Sequence, residues 1–126
     1  VSLIAPALAM GNTVVAIPSE PYPLSATDLY QVFETSDLPS GVINLITATH
    51  EEVAKTLAGH MNLDAIWYFG SSGLTEEIER ASATNLNRVW ANHGLARDWF
   101  DSEQGQGRGF LRQATEVKNV WIPYGE

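Results

Sequence analysis

Cysteine is absent from all 126 residues. That excludes disulfides, thiolate zinc sites and a cysteine nucleophile within the chain. Positive charge is scarce: seven Lys and Arg stand against fifteen Asp and Glu, giving a net charge of −8. Such a field repels phosphate backbones and anionic lipid, and the expectation is no nucleic-acid partner and no membrane partner. Long apolar runs are missing too. Val14–Ile17 falls far short of the roughly 20 residues that span a bilayer, and Leu3–Met10 lacks the basic flank of a signal peptide. The first residue is Val rather than Met, which points to a fragment. A soluble, cytoplasmic protein is expected. Hydrophobic residues make up 44% and charged residues 17%, a balance that fits one globular core rather than a disordered tail or a coiled coil.

Apolar runs alternate with helical patterns. Asn12–Ile17 is β-rich and ends at Pro18, so it reads as a buried strand. Ser25 then caps a helix with Leu29, Val32 and Phe33 on one face. Gly41–Thr47 is a second strand. Thr49 caps a second helix with Glu51 and Glu52 in its first turn and Val53, Leu57 and Met61 on its buried face. Asp64–Phe69 is a third strand, followed at once by Gly70-Ser71-Ser72-Gly73 and a helix from about Leu74 to Ala83. Arg88–Asn92 is a fourth, shorter strand. This order predicts an α/β fold, a parallel sheet wound with helices, with ligands at the carboxyl edge of the strands. Residues 98–109, where Gly105, Gly107 and Gly109 alternate with Gln and Arg, read as a Gly-rich loop or linker. Residues 110–126 read as a C-terminal extension strand, apolar on both faces: Val117 and Trp121 point one way, Val120 and Ile122 the other.

Several short motifs match one family in order. Ala5-Pro6-Ala7-Leu8-Ala9-Met10-Gly11-Asn12-Thr13-Val14-Val15 followed by Pro18-Ser19-Glu20, then Leu38–Asn44, His60–Asp64, Phe69-Gly70-Ser71-Ser72 and Asn85–Val89, resemble the cofactor domain of aldehyde dehydrogenases. Thr115–Val120 resembles that family's final oligomerisation strand. The resemblance implies a Rossmann-like parallel sheet with flanking helices, a partial nucleotide-binding domain over residues 1–97, and a subunit-crossing strand at the C-terminus. It also exposes departures. The family's catalytic Cys lies in a domain absent between Asn92 and the tail, and its Glu base falls at Asn92, an amide that takes up no proton near neutral pH. No catalytic residue is therefore expected. The chain most resembles the non-catalytic second module of family-sixteen aldehyde dehydrogenases.

The resemblance places cofactor contacts at Ser19, Glu20, Gly70 and Ser71. A Glu at position 20 can accept from ribose hydroxyls, although beside a Pro-rich turn a lone Glu is more often solvated. Gly70-Ser71 opens a helix after a buried strand, where free N–H groups and the positive dipole end suit a pyrophosphate; a Gly-Ser turn also serves close packing alone. Ile17 stands where the family has a ribose-binding Lys, Ala48 where a Gly is common, and Thr75 where a later Gly belongs. No tightly bound cofactor is expected, NAD being reserved for the parent protein. No metal site is expected either: His50 and His60 would lie about 15 Å apart along a helix, and His93 sits alone at a strand end. Trp67 and Trp90 read as strand residues packed against helices. Trp99-Phe100 and Trp121 read as protein contacts, and Arg108 and Arg112 as solvated charges.

Three functions follow. The first is a structural and oligomerisation module, a homodimer through Val117–Ile122 that also partners the catalytic module of its parent chain. The second is a weak NAD- or AMP-binding module. The third is a simple cofactor-domain fragment of an active enzyme.

Overall fold

The structure is a computed structural model that describes residues 1–125. Its elements run in the order α1 (Ile4–Ala9), β1 (Val14–Ala16), α2 (Leu24–Glu34), β2 (Ile43–Leu45), α3 (His50–Ala58), β3 (Ala65–Tyr68), α4 (Ser72–Ser82), β4 (Arg88–Ala91) and α5 (Arg108–Gln113). All four expected strands are present, each shorter than its apolar run. β1 pairs with β2 in parallel, Val14 opposite Ile43 and Ala16 opposite Leu45. β3 pairs with β4 in parallel, Ala65 opposite Arg88 and Tyr68 opposite Ala91. Parallel neighbours need a crossover rather than a hairpin, and α2 and α4 supply one for each pair. The expected single sheet is thus two pairs of strands, with no ladder between them among the described residues.

The core lies where α3 and α4 cross the β3–β4 pair. Ala54, Ala58, Tyr68 and Ile78 are buried, with Ile66, Leu74, Ala81 and Val89 packed around them. Strand alternation brings Ile66 and Tyr68 to this face. The helix pattern differs from the sequence reading here. Val53 and Leu57 are half-buried, whereas the buried positions of α3 are Ala54 and Ala58, because small side chains let α4 approach closely. Met61 falls beyond the end of α3 and is exposed. The carboxyl end of α3 is closed from a distance: Asn85 and Asn87 each donate from Nδ2 to the Ala58 carbonyl, at 2.9 and 3.2 Å. Leu86 between them adopts a φ of +60°.

The opposite face of β3–β4 is aromatic. Trp67 and Trp90 meet edge-on at 4.9 Å, and Trp90 meets Phe110 of α5 at 5.2 Å. Arg97 holds this face together, its guanidinium 5.3 to 5.6 Å from the rings of Phe69, Trp90, Trp99 and Phe110. Each such contact adds attraction between the cation and a ring face.

Three sequence expectations are corrected. Ser25 does not cap α2; Pro23 takes the cap position, and the Ser25 hydroxyl donates back to the Tyr22 carbonyl. The segment 98–109 is not a slack linker. Asp101 Oδ1 accepts from the N–H groups of Glu103 and Gln104, both at 2.9 Å, Gly105 is buried beneath the Trp99 carbonyl, and Arg108-Gly109 already belong to α5. Within 110–126, α5 runs on to Gln113 and residues 114–125 form no strand, since a strand needs a neighbour to bond. Val117, Val120, Trp121 and Ile122 are each at least 79% exposed. Trp99 is largely taken up by the Arg97 cluster, whereas Phe100 is fully exposed. α1 has no counterpart in the sequence reading; Pro6, in its first turn, occupies a position without need of an N–H partner.

Ile78 is fully buried, so Ile78→Ala is expected to lower unfolding stability by about 2–5 kcal/mol, read as a lower urea midpoint with an unchanged slope.

Candidate functional site

The carboxyl ends of β1 and β3 open on a common cleft of about 550 Å³. All four residues expected at a cofactor site line it: Ser19, Glu20, Gly70 and Ser71. Pro18–Glu20 leave the end of β1, and Gly70-Ser71 turn from β3 into α4. His50, Glu51, Tyr68, Leu74 and Glu77 complete the walls. The four residues thus come together beside the ends of β1 and β3, where each makes contacts within the chain.

Glu20 is committed elsewhere. Its Oε1 accepts from the backbone N–H of His50 at 2.6 Å, so it supplies an anionic cap to α3 from thirty residues upstream. The first turn of a helix carries unpartnered N–H groups and partial positive charge, which a carboxylate satisfies. The sequence reading gave this role to Thr49. Its hydroxyl instead donates to Glu52 Oε2 at 2.7 Å. His50 completes the tie, with Nε2 3.2 Å from the Pro18 carbonyl oxygen.

The turn at Gly70-Ser71 is filled in a similar way. Tyr68 Oη accepts from the N–H of Ser71 at 3.0 Å and lies 3.4 Å from its hydroxyl. A side chain at position 70 would collide with the Tyr68 ring, so the glycine here serves the tyrosine. Thr75 is buried, and its hydroxyl donates to the Ser71 carbonyl at 3.1 Å. The position where the resemblance expects a backbone-exposing glycine is therefore a packed core residue. Ser71 is the N-cap by position but makes no side-chain cap bond.

The electrostatics of the cleft are one-sided. Glu20, Glu51 and Glu77 line it, and no Lys or Arg does among the described residues. A pyrophosphate would enter against three carboxylates with no cation to meet it. At the far end of β4, Asn92 Nδ2 donates to the Leu95 carbonyl at 2.6 Å. This closes a turn through His93 and Gly94, both at positive φ. Asn92 is a turn-former there.

Sequence reasoning missed Tyr68 and His50 as site residues. The signal for Tyr68 was the alternation that puts it on the face of Ile66, two residues before Gly70. His50 carried no signal, since its role depends on Glu20 reaching it through space. No group of His, Asp and Glu among the described residues could hold a metal ion. The histidines stand apart: His60 Nδ1 accepts from Asn62 N–H, and His93 Nε2 lies 3.7 Å from Glu79 Oε1 at the surface. No helix among the described residues is long and apolar enough to cross a membrane.

Comparison with known proteins agrees with this geometry. The sequence profile of the aldehyde dehydrogenase family matches residues 1–97. The NADP/NAD-dependent aldehyde dehydrogenase PuuC of Escherichia coli is 38% identical over 92 residues, which is 72% of this chain and 19% of that protein. An aldehyde dehydrogenase structure from Bartonella henselae superposes with a TM-score of 0.68 at 36% identity, covering 71% of this chain and 19% of the other. A mutant aldehyde dehydrogenase C of Pseudomonas syringae, complexed with NAD+ and octanal, gives 0.69 at 38% identity over 71% of this chain and 19% of its own. The chain spans about a fifth of the length of these relatives. The chain is a Rossmann-like α/β unit and belongs to the aldehyde dehydrogenase family.

Proposed function

We propose that this chain is a non-catalytic structural and oligomerisation module of an aldehyde dehydrogenase. Its cytoplasmic parent oxidises aldehydes to acids with NAD or NADP on a separate catalytic module. The observation that carries this reading is that the helix-end amides beside the cleft are already bonded within the chain. Glu20 caps α3, Tyr68 takes the Ser71 amide, and three carboxylates face the space where a pyrophosphate would lie. Any aldehyde chemistry in the chain alone would lack a thiol to form the acyl intermediate. Asn92, where the resemblance places the general base, is bound into a turn.

The exposed tail supports an assembly role. A segment apolar on both faces, with Trp121 91% exposed, presents far more apolar surface than a solvated terminus needs. A homodimer through Val117–Ile122 covers it. The shared length of about a fifth with its relatives favours one further reading, a cofactor-domain fragment of an active enzyme. In that case the catalytic residues lie elsewhere in the parent.

The pure chain is expected to produce no NADH from any simple aldehyde, and Asn92→Glu alone to restore none; measurable turnover refutes the non-catalytic reading. By calorimetry, NAD should bind no more tightly than about 1 mM, or roughly −4 kcal/mol. The double variant Glu51→Lys, Glu77→Lys should bind inorganic pyrophosphate at least several-fold more tightly at low salt. Micromolar NAD affinity in the unmodified chain would establish a nucleotide-binding module instead. Light scattering should give a dimer for the intact chain and a monomer for one ending at Thr115, a length that keeps the buried Ala114. A monomer in both cases refutes the oligomerisation role.

A further inference from the structure

The turn that follows β4 touches the helix that opens beside the cleft. Asn92 N–H donates to the Tyr68 carbonyl at 3.3 Å and extends the β3–β4 ladder by one bond. Leu95 N–H then donates back to the Asn92 carbonyl at 2.9 Å, and Asn92 Nδ2 closes the turn on the Leu95 carbonyl. Between them the chain passes through positive φ, +49° at His93 and +76° at Gly94. The Gly94 backbone lies directly against the first residue of α4. A Cβ there would stand 3.2 Å from Ser72 Cβ and 3.3 Å from the Ser72 nitrogen. The turn therefore rests on the amino end of α4, whose neighbours Ser71 and Gly73 line the cleft.

Two residues beyond the turn, Arg97 enters the aromatic cluster. Only Ala96 separates it from Leu95, whose carbonyl Asn92 holds. The four rings have two origins. Phe69 and Trp90 come from the end of β3 and from β4. Trp99 and Phe110 come from the segment that leaves the turn, beyond the residues 1–97 that match the family profile. Trp99 meets Phe69 edge-on at 5.1 Å, and Phe110, 3% exposed, meets Trp90 at 5.2 Å. The Arg97 guanidinium lies within 5.6 Å of all four ring centroids, so its attraction binds both sets of rings to one cation. The segment is also tied to itself. Asp98 N–H donates to Gln104 Oε1 at 3.1 Å, and Gly105 N–H donates to the Asp101 carbonyl at 2.8 Å.

We propose that the Arg97 cluster and the turn at 92–95 form one clamp on the amino end of α4, through which the segment 98–113 sets how tightly the α4 side of the cleft is closed. A shift of the guanidinium reaches Gly94 through a short, doubly bonded turn. With no side chain at Gly94, the displacement passes from backbone to Ser72 by direct contact. The segment and the first turn of α4 accordingly open together as one local unit. The coupling runs equally in both directions.

Residue-resolved hydrogen exchange on the full chain tests the clamp. Ser71 N–H, held by Tyr68 Oη at 3.0 Å, and Thr75 N–H, held by the Ser71 carbonyl at 3.3 Å, report the amino end of α4. Gly105 N–H reports the segment. Gly59 and Ala83 N–H, at the carboxyl ends of α3 and α4, report the rest of the core. Arg97→Gln is expected to speed exchange at Gly105, Ser71 and Thr75 by about fivefold or more, with Gly59 and Ala83 unchanged. Arg97→Lys keeps a cation and should give a smaller rise. Gly94→Ala, strained at its positive φ and crowding Ser72, should speed exchange at Ser71 and Thr75 and carry the effect to Gly105. Unchanged exchange at Ser71 and Thr75 in Arg97→Gln overturns the clamp, whether or not Gly105 responds. So does a rise shared equally by Gly59 and Ala83, which marks a general loss of stability. If Arg97→Gln fails to fold by circular dichroism, Trp99→Leu removes one ring of the segment and the same amides decide.

Discussion

The close approach of α3 to α4 is the contact on which the rest of the molecule depends. Ala54 and Ala58 keep one helix face low, and Ile78 fills the space without exposure. Larger residues at either alanine would push the helices apart and strain a packed core. The seam does more than bury apolar surface. It fixes the amino ends of both helices at the same cleft, one met by Glu20 and the other by Tyr68. It also holds the β3–β4 pair to α3, whose other end is braced by Asn85 and Asn87. A domain of this size has a small margin of stability, and here much of its burial passes through four side chains.

At the cleft, the amino ends of two helices are met by side chains of the chain itself. Helix amino termini attract anions wherever they are left open. In this chain the anion at α3 is an internal carboxylate, and the acceptor at α4 is a phenol. Both are supplied by side chains whose backbone positions are set by strand ends, so the fold itself provides partners at both helix ends. The three carboxylates around the opening then set its charge. Shape and electrostatics point in opposite directions at one place.

Strand positions were legible because β-branched and aromatic runs between breakers leave little alternative, and the four strands fall inside the four predicted runs. The pairing of those strands was not legible. Nothing in Val14–Ala16 or Ala65–Tyr68 distinguishes an edge that is bonded from one that is free. The periodicity of α3 misled in a specific way: Val53 and Leu57 look like its core, yet alanines can be the buried positions when another helix comes near. Residues 98–107 looked loose because glycine and glutamine dominate, while the features that order them lie at the borders, in Asp101 and in the four rings around Arg97. Ser19, Glu20, Gly70 and Ser71 line one cleft, since they follow the ends of β1 and β3. The tie from Glu20 to His50 spans thirty residues and leaves no local mark.

The anchorage of the tail gives the molecule a load path. Asn12 ties the Ala114 carbonyl to the approach of β1, and Arg88 ties the Thr115 carbonyl to β4. A pull on Tyr124 is therefore divided between the two strand pairs, although no ladder joins them among the described residues. Tension on the terminus reaches the amino ends of both pairs through these two bonds. The carboxyl ends, where the cleft lies, carry none of that force through these bonds. The anchorage of the tail and the cleft thus sit at opposite ends of the same strands.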